Sequence, residues 1–133
     1  MTFVFEASVA ALERASEVLN RALAEAGCPA KASTKLMIAF DEIASNIVRY
    51  SGAPDFSVDI DFPENPSAVR ISFSDSGRAF NPLAEAPSPD TTLPAERREV
   101  GGLGLFMVRK MMDFVTYSHE NGRNVLTISK LRD

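Results

Sequence analysis

One cysteine, one histidine and no tryptophan among 133 residues exclude several kinds of protein at the outset. Cys28 alone can form neither an intramolecular disulfide nor a Cys-based metal site, so nothing calls for an oxidising compartment, and a buried or inert thiol is expected. No stretch approaches the roughly 20 apolar residues of a membrane span. The start, Met1-Thr2-Phe3-Val4-Phe5-Glu6, lacks the basic residues and long apolar run of an export signal. Positive charge is also in short supply, 14 Lys and Arg standing against 18 Asp and Glu for a formal net charge of −4. That balance argues against general affinity for nucleic acid or an anionic membrane surface, so any phosphate must be held locally. The cytoplasm is the expected compartment.

What is present is a chain of one-domain length, residues 1–133, with 45% hydrophobic residues and hence material for a core. Residues 2–6 suit a short strand. Val9, Leu12, Ser16, Leu19 and Leu23 then recur at helical spacing until Gly27 supplies a stop. Pro29 suits the first turn of a second helix, in which Leu36, Phe40, Ile43 and Ile47 make one apolar stripe ending near Ser51-Gly52. Phe56, Val58, Ile60 and Phe62 alternate with polar residues, as do Val69, Ile71 and Phe73, and the turn-forming Pro63-Glu64-Asn65-Pro66 lies between them. A helical pattern returns over Leu103–Met112, and two further strands flank Asn121-Gly122, a strong hairpin signal. Each element has one apolar face, which predicts an α/β two-layer sandwich. Three helices should cover one face of a mixed, mostly antiparallel sheet of about five strands. Between Asn81 and Val100 four prolines interrupt the chain, and a loop of that length in a compact domain is usually functional.

Three polar groupings could carry chemistry. Glu42 and Asn46, four residues apart, share a helix face about 100° from the centre of the apolar stripe, which puts both at the border of the core. A carboxylate beside an amide oxygen suits Mg²⁺, which completes its octahedron with phosphate and water. A solvated polar face has the same pattern. Asp75 ends a strand and opens Asp75-Ser76-Gly77, ordinary turn chemistry that also suits a carboxylate accepting from the exocyclic amino group of adenine, with Gly77 permitting a close backbone approach. Gly101-Gly102-Leu103-Gly104-Leu105 precedes a helix, so its amides could cradle an anion, although a flexible hinge has a similar composition. It is neither a GxxxxGK[ST] phosphate loop nor a GxGxxG fingerprint after a strand.

In order and spacing the three groupings resemble the N box, G1 box and G2 box of the GHKL ATPase/kinase superfamily. The resemblance is nearest to its short members, the anti-sigma-factor serine/threonine kinases of bacterial partner-switching systems. Phe40-Asp41-Glu42-Ile43-Ala44-Ser45-Asn46 matches Glu-x-x-x-Asn. Asp75-Ser76-Gly77-Arg78-Ala79-Phe80-Asn81-Pro82 matches Asp-x-Gly-x-x-Phe-x-Pro, and Gly101-Gly102-Leu103-Gly104-Leu105-Phe106-Met107-Val108 matches the G2 box. The resemblance implies a Bergerat-type ATP-binding fold with an ATP lid over residues 81–100. It implies ATP and Mg²⁺ as cofactors, the metal bound through Asn46, adenine read by Asp75, and Glu42 as the catalytic residue. Gly77, Phe80, Gly101, Gly102, Leu103, Gly104 and Leu105 would complete the nucleotide site, with Arg97 and Arg98 as candidates for the terminal phosphate. Its implied partners are a STAS-type anti-anti-sigma factor as phosphoacceptor and a sigma factor or other regulated protein as the inhibited target. A homodimer is implied too. The alternative is an ATP-binding interaction module with little or no kinase activity. Relatives often carry His where this chain has Tyr50, and His119, in a late strand, is expected to be structural.

Overall fold

The computed structural model describes residues 1–79 and 102–132, with the side chains of 102–105 left out. The chain runs β1 (Thr2–Glu6), α1 (Val9–Glu25), α2 (Ala30–Tyr50), β2 (Asp55–Asp61), β3 (Ala68–Asp75), α3 (Gly102–Met111), β4 (Phe114–Glu120) and β5 (Arg123–Leu131). Helix α1 begins at Ser8, whose hydroxyl accepts from the Ala11 amide at 3.3 Å, and it ends before Gly27, which takes the left-handed φ of 69°. Pro29 stands at the cap of α2, one residue ahead of its first turn, and Gly52 follows that helix with φ 73°. Asn121 and Gly122 both have positive φ, 53° and 76°, the signature of a type I′ turn, so β4 and β5 form the anticipated two-residue hairpin.

The sheet has the order β1-β2-β3-β5-β4, and among the described residues every pairing is antiparallel. Expected as mostly antiparallel, it is wholly so. Register lines the inner face up in rows that cross the strands. Ile60, Ile71, Ile128 and Val115 make one row, and Phe3, Val58, Phe73, Leu126 and Tyr117 the next. Phe5, Phe56, Asp75, Asn124 and His119 make the third, in which polar side chains replace apolar ones from β3 onward. Along the outer face run Ser57, Ser72, Ser74, Thr127, Thr116 and Ser118 with Val4 and Val125 among them, so among the described residues the core lies on the inner face.

That core joins the apolar rows to Leu36, Phe40 and Ile43 of α2, Leu19 and Leu23 of α1, and Val108 of α3. Burying one such side chain contributes about 1.5–3 kcal/mol. The contact face of α1 differs from the stripe that its larger residues suggest. Val9 is 77% exposed, whereas Ala11, Ala15 and Ala22 are buried beside Leu19 and Leu23. Small alanines allow close approach to the neighbouring layer, and Ser16, turned to the border, donates its hydroxyl to Asp41 Oδ1 of α2 at 2.6 Å. Cys28 is half-buried against the core as a free thiol.

Asp113 closes the far end of the molecule. Its carboxylate accepts from the Leu131 amide at 2.7 Å and from Lys130 Nζ at 3.0 Å, tying the exit of α3 to the end of β5. The Leu131 amide bond, aided by Lys130 and the more distant Lys35, holds the Asp113 carboxyl below the usual carboxylate range against a smaller opposing effect of burial.

Candidate functional site

Helix α2 and strand β3 are joined at two points. The Phe40 ring packs on Phe73 with centroids 5.3 Å apart. Two residues beyond the end of β3, Gly77 lies so close to the carboxyl end of α2 that an added Cβ would sit 2.2 Å from the Ser51 carbonyl oxygen. The Arg78 amide donates to that same oxygen at 3.3 Å. Between the two anchors α2 rises roughly 16 Å at 1.5 Å per residue. Glu42 and Asn46 fall on this stretch, both half-buried as their angle from the stripe requires. Gly77 was expected to let the backbone approach a ligand, and the close neighbour seen here is the protein's own helix end.

Within the pair, Asn46 Nδ2 donates to Glu42 Oε1 at 3.3 Å. A carboxylate can only accept, so the amide turns its nitrogen to Glu42 and leaves Asn46 Oδ1 without a protein partner among the described residues. A hard, uncharged oxygen beside a carboxylate fits Mg²⁺. Among the described residues no three His, Cys, Asp or Glu side chains gather into an all-protein cage, so such an ion would draw its remaining oxygens from phosphate and water.

Among the described residues Asp75 and Asn124 are the buried polar side chains, 5% and 8% exposed. They face each other across β3 and β5. Asp75 Oδ1 accepts from the Gly77 amide at 2.8 Å and from Asn124 Nδ2 at 3.2 Å, while Oδ2 has no partner among the described residues. Asn124 Nδ2 also reaches the Arg78 carbonyl at 2.8 Å and the Gly77 carbonyl at 3.4 Å, and its Oδ1 accepts from the Tyr117 hydroxyl. A carboxylate fixed by one oxygen and open at the other suits an N–H donor arriving at the end of the sheet. Asn124 and Tyr117 were not singled out from sequence. The available signal was an amide at an inward position of a strand whose next inward residues are Leu126 and Ile128.

The glycine run differs in kind from a loop. Gly102, Leu103 and Gly104 already belong to α3, whose first turn, like that of any helix, has amides without intrahelical partners and a partial positive charge. Glycine lacks a side chain to cover those amides, so a helix start of this composition suits an anion. α3 packs against α2. Leu105 lies in the same first turn and a half. Phe80, the lid expected over 81–100 with Arg97 and Arg98, and Gly101 lie outside the described residues. Tyr50 is 43% exposed at the end of α2. His119 is exposed at the margin of the polar row, opposite Asn124.

Residues 5–130 match the family described as histidine kinase-like ATPase domain, and the chain belongs to it. Within that family it is similar to proteins named serine-protein kinase RsbW. The relative from Listeria monocytogenes is 27% identical over 113 residues, 81% of this chain and 72% of the relative. One from Bacillus anthracis is 30% identical over 95 residues, 68% of this chain and 59% of the relative. Among solved structures, the RsbU and RsbW domains of a Mycobacterium tuberculosis protein share the fold with a TM-score of 0.71 and 18% identity, over 98% of this chain and 32% of that one. SiaB in the SiaB–SiaC complex from Pseudomonas aeruginosa gives 0.62 and 15%, over 98% and 89%. Among the described residues no helix is long and apolar enough to cross a membrane.

Proposed function

We propose that this protein is an ATP- and Mg²⁺-dependent serine/threonine protein kinase of a partner-switching system. It phosphorylates a STAS-type anti-anti-sigma factor in the cytoplasm and, as a homodimer, binds and restrains a sigma factor or another regulated protein. The observation that carries this reading is the Asn46-to-Glu42 hydrogen bond, which commits one oxygen of Glu42 and leaves the other for a substrate hydroxyl. Bound Mg·ATP supplies the γ-phosphoryl group and neutralises its charge. Glu42 accepts the proton of a serine or threonine hydroxyl as that oxygen bonds to the γ-phosphorus and the bond to the β,γ-bridging oxygen breaks, releasing ADP. Asn46 Oδ1 would hold the metal, which would supply charge neutralisation at the phosphates, while the first-turn amides of α3 hold phosphate oxygens and Asp75 Oδ2 receives the adenine amino group. Arg97 and Arg98 would reach the terminal phosphate from the lid.

The similarity to kinases named RsbW over most of the chain supports this reading, and the pairing of Glu42 with Asn46 gives it a chemical basis. Incubation with labelled Mg·ATP and the cognate acceptor protein tests it. Transfer by the unchanged chain, lost in Glu42→Ala with nucleotide binding retained, is the expected result. Nucleotide binding without transfer by the unchanged chain would leave an ATP-binding interaction module instead.

A further inference from the structure

We infer that the solvent face of α2 beside Glu42 is the docking surface for the phosphoacceptor protein, with Ile38 as its apolar anchor and Asp41 as its charge contact. This rests on the proposal that Glu42 takes the proton of a protein hydroxyl. At about 100° per residue, Ile38 lies one turn ahead of Glu42 and about 40° from it, almost opposite the Leu36/Phe40/Ile43/Ile47 stripe. Asp41 stands about 60° to the other side of Ile38. Ile38 is 47% exposed, and it and Tyr50, at the helix end, are the large apolar side chains that α2 leaves in solvent. Asp41 is exposed too, yet it is held: its Oδ1 accepts from the Ser16 hydroxyl of α1 at 2.6 Å. Its other oxygen has no hydrogen-bond partner among the described residues, and no Lys or Arg among them lies within ion-pair distance of it.

Glu42 can serve a protein hydroxyl only if the acceptor covers its surroundings. A specific protein contact takes about 800 Å² from each partner, a patch roughly 30 Å across, whereas helix residues three or four apart lie about 5–6 Å from each other. Ile38 and Asp41 therefore fall inside any such contact. The chemistry of the two defines the occupant. Covering Ile38 removes apolar area from water, which favours an apolar socket on the acceptor. A carboxylate already fixed by Ser16 loses little freedom on binding and, with no cation of its own among the described residues, favours a lysine or arginine near the acceptor hydroxyl. With Glu42 next in sequence, an acidic acceptor surface would meet two carboxylates, which selects against wrong partners.

The test uses the STAS-type protein of the transfer assay as its probe. Its affinity in the presence of Mg·ADP, the steady-state kcat and KM for it, and the ATP dissociation constant are measured for the full chain, Ile38→Ser, Asp41→Lys and Ser16→Ala. Ile38 and Asp41 face solvent, so the fold should be retained, and thermal unfolding checks it. Ile38→Ser should weaken acceptor binding about tenfold or more. Asp41→Lys should weaken it about tenfold at low salt and less at high salt. Ser16→Ala, which only releases Asp41, should do so about two- to threefold. In all three, KM for the acceptor rises while kcat at saturation and ATP affinity stay at parental values. Exchanging a Lys or Arg beside the acceptor hydroxyl for Glu should restore binding to Asp41→Lys. Variants that bind the acceptor as the parent does, or lose ATP affinity in proportion, overturn the docking surface alone. An unchanged chain that binds the acceptor without phosphorylating it overturns the kinase reading, and the binding comparison still decides the surface. One that does neither overturns both.

Discussion

Replacing Gly77 by alanine is the smallest change that reaches both halves of the site. The new Cβ would lie 2.2 Å from the Ser51 carbonyl oxygen, 2.8 Å from its carbonyl carbon and 2.9 Å from Asp75 Oδ1. Two of those atoms are backbone at the end of a 21-residue helix, so relief must come from lifting the segment after β3 away from α2. That movement stretches the Arg78-to-Ser51 hydrogen bond and pulls the Gly77 amide from Asp75. Overpacking of this kind costs about 1–3 kcal/mol. With an unfolding entropy of about 2.1 cal/mol/K per residue over 133 residues, the melting temperature should fall by about 4–11 °C. ATP affinity should fall as well, because Asp75 loses a fixing donor. Gly52→Ala is the control: its φ of 73° strains an alanine by about 1–2 kcal/mol, but no atom lies within 4 Å, so nucleotide binding should persist despite some loss of stability. Thermal unfolding followed by circular dichroism, paired with calorimetric titration of ATP, separates the two. A Gly77→Ala protein that melts within about a degree of the parent and binds ATP equally well would refute the contact geometry and the coupling drawn from it.

Two further expectations concern stability. Phe40→Ala should cost about 3–5 kcal/mol by opening a cavity over Phe73, seen as a large drop in the urea midpoint with little change in slope. Asp113→Asn should destabilise the chain at neutral pH. Because the folded pKa of Asp113 is depressed, its contribution is present above the unfolded value of about 3.9 and is lost as the pH falls through the lower folded value. The gap between parent and variant in urea midpoint should therefore narrow as the pH is lowered from 7 to about 3, and a gap that stays constant would count against the Leu131 and Lys130 contacts as its cause.

Much of the architecture was legible because periodicity records burial directly. Alternation in β2 and β3, the α2 stripe and the Asn121-Gly122 turn each mapped onto the elements they implied. Helix α1 was read through its large residues, and the structure packs it through alanines, which carry too little hydrophobic signal to stand out. The half-buried placing of Glu42 and Asn46 followed from helix geometry alone. Asn124 and Tyr117 did not, because their importance arises from cross-strand register between residues 49 and 7 positions apart, a relation that local pattern does not contain. The glycine run reads in sequence as lying just ahead of a helix, yet Gly102 already belongs to the first turn of α3, where glycine's low helix propensity hides a helix start.

The inner face of the sheet keeps its apolar rows whole and gives over only its last row to Asp75 and Asn124. A lesion confined to that margin, or to the half-buried Glu42, removes little of what holds the chain together. Such a variant would remain a folded molecule, still able to occupy whatever surface the intact protein occupies. On the partner-binding role proposed above, in a cell carrying both copies the impaired one would compete for partners instead of disappearing, and the resulting trait would be dominant, whereas a lesion at Phe40 or Phe73 would be recessive. Inheritance pattern would thus map the boundary between the apolar rows and the polar one.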